Sequence, residues 1–510
     1  MDNTIINLDN YLSVDTNKLT CVKIDSGMTA KALITFFGNK LPNLTKLNCY
    51  NCIELQNLPA LPNLKILNCC DCIMLTVIPV LPKLTELNCD GCTNLIKIPA
   101  LPNLTYLECN SCVKLTSIPE CPNLTSLECK KCIGLTSISE CPNLNYVECS
   151  GCTGLTSIPE CNNLAHLECN SCTRLTNISG CVNLSYLECN GCTRLTILRE
   201  LPNLETIFCC DCTMLTSISK LPKLTELFCN ECTTLTRITN IPCLIELNCY
   251  KCTQLKSILE CPNIIDLDCT DCTELTSLPK LSNLKKLRCS GCICLTSIPD
   301  CPNLTNLSCK GCVHLTVIPV CPVLVNLDCS NCVRLEFIPT LPNLDSVSCG
   351  ECVRLTRIPE LPKLTSLYCD KCVQLNIIEN LPNLTKLDCS GCTNLTTIPI
   401  LPNLKLIRYS SETVNIYTIP LRFLNNLDED TLTKALEYNP SNINSVFNTN
   451  IVSHTTINSM LELLAEYIEY ADSNTAKELE TLCYNNEIIL PTLVKPTRHY
   501  SITSLIDYTQ

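Results

Sequence analysis

Residues 381–400 read LPNLTKLDCSGCTNLTTIPI, and the same pattern returns every twenty residues: 41–60 read LPNLTKLNCYNCIELQNLPA and 101–120 read LPNLTYLECNSCVKLTSIPE. On this frame eighteen tandem copies span residues 41–400 without insertion or deletion, and a nineteenth begins at Leu401 and fails near Arg408. A fixed period of this length is the signature of a solenoid, in which each repeat makes one coil and stacks on the next.

Numbering the unit 1 to 20 from Leu41 separates core from surface. Position 4 is Leu in every copy except Ile264; position 7 is Leu, Ile or Val; positions 9 and 12 are always Cys; position 15 is always Leu and position 18 is Leu or Ile. Position 1 is Leu, Ile or Cys, and positions 2 and 19 are usually Pro. Proline supplies no backbone donor and fixes φ, which argues against a helix anywhere in the unit. Positions 6 to 10 alternate with period two. Leu47 and Cys49 fall on one face and Lys46 and Asn48 on the other, the pattern of a short strand buried on one side. Twenty residues leave no room for a strand, a turn and a full helix, so the return leg over positions 13 to 20 is expected to be extended or 3₁₀. One coil alone buries too little to offset its ordering entropy; stability therefore belongs to the stacking of neighbours.

The motif L-x-x-L-x-C-x-x-C-x-x-L-T resembles the leucine-rich repeat, L-x-x-L-x-L-x-x-N/C-x-L. It is most similar to the cysteine-containing subtype, in which Cys at position 12 replaces the ladder Asn. Position 9 departs from that family, being Cys where Leu is preferred. The L-x-x-L-P ending also resembles repeats of plant resistance proteins and bacterial effectors. The lack of Trp and the richness in Asn, Ile and Cys are similar to leucine-rich repeat proteins of amoeba-infecting giant viruses. The resemblance implies a repeat solenoid: an arc with one parallel β-sheet on its concave face, generally used to bind proteins.

Outside the repeats, residues 1–40 are expected to cap the first coil, with a strand over 19–25 (LTCVKID) and a short helix over 29–37 (TAKALITFF). An F-box, which leucine-rich repeat proteins often carry, is the alternative, but no Leu-Pro-x-Glu opening is present. The solenoid proper covers 41–408, and 409–510 is expected to form a small α-helical C-terminal domain. There, residues 428–438 carry an acidic first turn before Asn439-Pro440, and residues 456–470 place Ile457, Leu461, Leu464 and Ile468 on one face. Residues 410–510 hold thirteen acids and five bases, so −8 of the chain's net −12. With a pI near 5.0, nucleic acid and anionic membranes are poor partners. No stretch approaches eighteen consecutive apolar residues and the first twenty contain no signal-length apolar run, so an intracellular chain is expected, in host cytoplasm if it is viral.

Of forty-nine cysteines, thirty-six occupy positions 9 and 12, and seven more stand at position 1. Three readings compete. The first is a core of buried thiols, with the position-12 S–H donating to a turn carbonyl. The second is tetrahedral zinc held by C-x-x-C pairs of successive coils; the unbroken run of pairs among leucines opposes it. The third is disulfides along the stack, which parallel side chains would strain. The first is preferred, and neither metal nor cofactor is expected. The NLT asparagines, such as Asn103, Asn123, Asn303 and Asn383, match glycosylation acceptors but are also simply repeat positions. Cys483 has no neighbouring His or Lys to activate it, and His166, His314, His454 and His499 are scattered, so no enzyme is expected.

With the core constant, information must lie at the outward positions 6, 8 and 10. Position 8 in copies four to eight reads Glu108, Glu128, Glu148, Glu168, Glu188, followed by Phe208 and Phe228. Position 6 contributes Tyr106, Tyr146, His166 and Tyr186. These eleven residues are expected to make one solvent-facing site for a partner protein or peptide with a basic, partly apolar surface. Adjacent carboxylates are expected to repel, and Lys130 to pair with Glu128 and split the patch. The competing explanation is recent duplication of an ordinary surface Glu, as the thrice-repeated LECN at 107–110, 167–170 and 187–190 suggests. The functional expectation is a non-enzymatic binding scaffold. The alternative is a substrate-recruiting subunit of a ubiquitin ligase, acting through residues 1–40 or the tail.

Overall fold

The computed structural model describes residues 4–409 apart from 179, 199–200, 219–220, 239–240, 260, 396–397 and 400. The helices expected over 428–484, with Cys483, lie outside the described residues. Two compact units divide the chain, residues 1–324 and 325–510.

The first unit opens with β1 (Thr4–Ile6), β2 (Cys21–Ile24), α1 (Ala30–Phe37) and β3 (Lys46–Asn48). The expected strand and helix are β2 and α1. Thr29 caps the helix, its hydroxyl accepting from Ala32 N–H at 3.3 Å, which satisfies one of the N–H groups a helix start leaves open. The helix buries Ala32, Leu33, Phe36 and Phe37. β1 was not legible, since TII is too short to show a period; it pairs in parallel with β2, which pairs with β3. From β3 to Asn306–Ser308 every copy contributes one three-residue strand at positions 6 to 8, paired in parallel with the strand twenty residues on, as in Leu47↔Leu67 and Leu67↔Leu87. In the second unit the strands Asn326–Asp328, Ser346–Ser348, Ser366–Tyr368, Lys386–Asp388 and Leu406–Arg408 repeat that register. The side chains at positions 1, 4, 7, 9, 12, 15 and 18 are buried.

Each strand ends in a turn built on position 11. All eighteen copies place this residue at positive φ, between 55° and 76°, yet only six of them use Gly there. The left-handed residue lets position 13 N–H fold back to the position-11 carbonyl, as Thr93 does to Gly91 at 2.8 Å. The return leg is the extended one of the two alternatives. Two-residue strands at positions 17 and 18 form small parallel sheets of their own, for example Ile197–Leu198, Ser217–Ile218, Arg237–Ile238 and Ser257–Ile258.

The position-12 thiol acts as a backbone donor, as one of the cysteine readings requires, but its acceptor belongs to the neighbouring coil. Cys72 Sγ donates to Cys49 O at 3.0 Å, Cys152 to Cys129 O at 2.9 Å and Cys372 to Cys349 O at 3.0 Å. The first copy has no predecessor, and Cys52 Sγ turns to Asp25 O of the cap, at 3.8 Å. A second ladder runs along position 3. Asn103 Nδ2 donates to Pro82 O at 2.7 Å and Asn383 Nδ2 to Pro362 O at 2.7 Å, so these asparagines have a structural use in the repeat. Together the two ladders add polar bonds between successive coils, the asparagine one only where position 3 is Asn.

Candidate functional site

A three-residue strand presents positions 6 and 8 on the face opposite the core, and the in-register pairing aligns each position in a column. Tyr106, Ser126, Tyr146, His166, Tyr186 and Thr206 make one column; Glu108, Glu128, Glu148, Glu168, Glu188, Phe208 and Phe228 make the other. All eleven candidate residues thus share one face of the first unit, as alternation required. They are less open than expected: most are half-buried, and Glu148 is only 5% exposed.

The aromatic members form a continuous ladder. Tyr146 and His166 stack with centroids 5.0 Å apart, His166 and Tyr186 at 4.3 Å and 7° between planes, and Phe208 and Phe228 at 4.7 Å and 5°. Tyr186 leans across columns to reach Phe208 at 5.9 Å. The two phenylalanines, expected to stand exposed, cover one another. Aromatic pairs at such separations contribute beyond their area burial, and the ladder places the rings in a ridge without help from a partner.

The carboxylates are held rather than left to repel. Tyr106 Oη donates between Glu108 Oε2 and Glu128 Oε1, each at 3.2 Å. His166 Nε2 lies 2.8 Å from Glu168 Oε1, Tyr186 Oη donates to Glu188, and Asn170 Nδ2 donates to Glu188 Oε2 at 2.9 Å. Lys130 Nζ pairs with Glu148 Oε2 at 3.2 Å, not with Glu128 as expected. The long ammonium stem leans to the following strand, where it meets the more buried acid. Burial pushes the Glu108 carboxyl up to about 7, helped by hydrogen bonding to Asp90 and the charge of that acid. Burial and its bond to Glu148 raise Glu168, while Glu148, against its own burial, is drawn down by Glu168, Ser150 and Lys130. Burial and the neighbouring carboxylates raise the Tyr146 hydroxyl to about 12. The stripe is therefore a hydrogen-bonded array in which the Glu108 and Glu168 carboxyls are held above the usual carboxylate range and Glu148 below it.

Position 10, read from the sequence as outward-facing, has a second use that the sequence did not show: its side chain serves the backbone of the next coil. In ordinary copies the position-8 side chain accepts from position 10 N–H two residues on: Asn48 from Tyr50, Asn68 from Cys70 at 3.1 Å, Asp268 from Thr270 and Asp328 from Ser330. That use explains the Asn and Asp common at position 8 elsewhere. Across much of the Glu and Phe stretch the acceptor moves to the position-10 side chain of the preceding coil. Asp90 Oδ1 takes Asn110 N–H at 2.6 Å, Asn110 takes Lys130, Ser150 takes Asn170, Asn170 takes Asn190 and Asn190 takes Cys210. Lys130 cannot accept, and Ser150 N–H falls back on Glu148 at 3.4 Å. Relieved of its backbone task in most of these coils, position 8 can carry a long acid or a phenyl ring.

Elsewhere on the first unit, Lys65, Lys83, Thr85, Asn103, Thr105, Asn123, Thr125 and Asn143 line an open polar groove of about 590 Å³. Its asparagine and threonine side chains are largely engaged by the ladders, as with Thr105 Oγ1 to Thr85 O at 3.0 Å. His314 Nδ1 lies 2.6 Å from Ile293 O, far along the chain from the ridge. Among the described residues no helix is long and apolar enough to cross a membrane.

No family model matches the chain, and no curated protein does. Among solved structures it is similar to a leucine-rich repeat protein from Bacteroides ovatus ATCC 8483, with 17% identity over 68% of this chain and 85% of that one and a TM-score of 0.29. What the ridge can bind follows from its own side chains.

Proposed function

We propose that this chain is a non-enzymatic scaffold that binds a protein or peptide on the outward sheet face of copies four to ten. The observation that carries the reading is the five-ring ladder from Tyr146 to Phe228, set against a column of carboxylates. Preformed aromatic ridges supply apolar burial at little ordering cost, and rings are what binding hot spots are made of. The carboxylate column favours a basic partner and would steer its approach.

The test uses peptides selected from a random display library against the full chain. Binders are then measured on Phe208→Ser/Phe228→Ser and on Glu148→Gln/Glu168→Gln/Glu188→Gln. The first variant is expected to speed dissociation, and the second to slow association at low salt and flatten its salt dependence. Unchanged binding by both folded variants would move the site off this face. A substrate-recruiting subunit of a ubiquitin ligase is the second reading. It needs residues 1–40 or the tail as an adaptor site, whereas β1, β2 and α1 extend the end of the sheet with Phe36 and Phe37 buried, which favours the scaffold.

A further inference from the structure

The position-6 column has one gap. Tyr106, Tyr146, His166 and Tyr186 all carry rings, and Ser126 stands between the first two. Tyr146 stacks on His166 on one side, and on the other the neighbouring position-6 residue, Ser126, carries no ring. Tyr106 and Tyr146 sit two strands apart, about 9.6 Å at ordinary sheet spacing. A flat group placed between them needs about 3.5–4.0 Å to each ring, roughly 7–8 Å in all. The space above Ser126 thus has the width for one planar group, with the remainder taken up by ring tilt such as the 24° between Tyr146 and His166. Among the described residues the Ser126 hydroxyl makes no hydrogen bond, and the Glu128 carboxylate accepts from Tyr106 Oη alone.

We infer that the slot over Ser126, between Tyr106 and Tyr146, is a seat for an arginine side chain of the partner. The inference rests on the proposed binding face and names the group that face selects. Guanidinium is the planar cation of proteins; it stacks on ring faces and presents a fork of N–H donors to a carboxylate. Here the rings wall the slot, and Glu128 and Glu108 stand beside it on the next column to accept the fork, while Lys130 already neutralises Glu148. A lysine ammonium would meet the same charge but would not stack in the gap. A neutral aromatic side chain would stack but leave the carboxylates without a cation.

The probes are three fluorescent nonapeptides, acetyl-Ser-Xaa-Ser-Gly-Ser-Gly-Ser-Phe-Phe-amide, with Xaa arginine, lysine or citrulline, which when extended carry the phenyl rings about 20 Å from Xaa, the four-strand reach from Ser126 to Phe208; they are titrated on the full-length protein. The arginine peptide is expected to bind at least fivefold tighter than either of the others. Ser126→Tyr, which fills the gap with the ring its neighbours carry, should erase that preference, and Glu128→Gln should reduce it severalfold. Circular dichroism and melting check that both variants stay folded. Phe208→Ser/Phe228→Ser should weaken all three peptides alike and leave the arginine preference standing. If Ser126→Tyr keeps the full preference, or the three peptides bind alike, the seat is overturned while loss of binding in the phenylalanine variant would still uphold the face. If no peptide binds, or none responds to the phenylalanine variant, the face fails and the seat with it.

Discussion

Position 11 carries the largest unrelieved local cost in the repeat. A side chain with a Cβ in the left-handed region is strained, and Gly is the residue that relieves it. Twelve copies nevertheless use Asn, Asp, Ser, Lys or Glu there. This feature was illegible beforehand because six scattered glycines in eighteen copies look like ordinary variation, whereas the uniform turn is a property of the stacked backbone. Lys131→Gly and Ser171→Gly should each stabilise the protein by about 0.5 kcal/mol, the strain relieved less the added freedom of the unfolded chain. The reverse change, Gly151→Ala, should destabilise by about 1 kcal/mol, its new Cβ lying 3.3 Å from Lys131 Cγ. Urea midpoints of the three variants provide the comparison; equal midpoints would mean the strain is not there. The carboxylate column was half legible in the same sense. Alternation assigns its face, but the donors that quiet it, Tyr106 Oη and His166 Nε2, come from the adjacent column, and a one-dimensional reading sees only like charges side by side.

The coil is the element on which the design of the molecule turns. Its bonds to the preceding coil recur at fixed positions, among them position 5 N–H to position 5 O, as in Thr105 to Thr85 at 2.8 Å, position 12 Sγ to position 9 O, and position 3 Nδ2 to position 2 O. Removing a whole coil leaves each donor facing an equivalent acceptor, while removing half a coil sets a strand against a return leg. Deleting 301–320 should therefore preserve the β-sheet spectrum and a cooperative melt, and deleting 301–310 should lower the melting temperature far more. Equal damage from the two deletions would break the frame. Most of this element could be read in advance, because a constant period of twenty and an alternating LxC leave few ways to bury Leu47 and Cys49 together. The short parallel pairing of the return leg could not: positions 17 and 18, such as Ser217–Ile218, have no period of their own.

At the scale of the whole molecule the position-9 thiols dominate the alkaline side of pH stability, opposed by position-12 thiols such as Cys72, Cys172 and Cys392, which their bonds to position-9 partners draw down. The bond to Cys152 and burial hold the Cys129 thiol well above its ordinary value, the same holds for Cys249 and Cys349, and Cys189 is raised to about 12. A thiol raised in the folded state keeps its proton there and loses it on unfolding. Its contribution is thus complete below the unfolded value of about 8.5 and is lost as pH rises toward the folded one, by about 1.4 kcal/mol per thiol per pH unit. With one such thiol in nearly every coil, the thiols' contribution should be constant from pH 6 to 8 and fall steeply between about 9 and 12. Melting in reducing buffer across that range checks it; a flat profile to pH 11 would show that the sulfurs are not protonated donors. The relay at position 10 has a different consequence, one of word order. Each acceptor serves the coil that follows it, so what a coil may display depends on which coil precedes it. Asn230 marks the end of the relay: its Oδ1 is buried without a hydrogen-bond partner, because Asn248 already takes Tyr250 N–H. Asn248→Phe should therefore be tolerated, the idle Asn230 carbonyl inheriting that N–H. Asn68→Phe follows Tyr50, which has no such carbonyl, and should cost about 1–3 kcal/mol by stranding the buried Cys70 N–H. The same substitution is thus permitted at one address and penalised at another, and this face is editable only in the direction in which the chain is read.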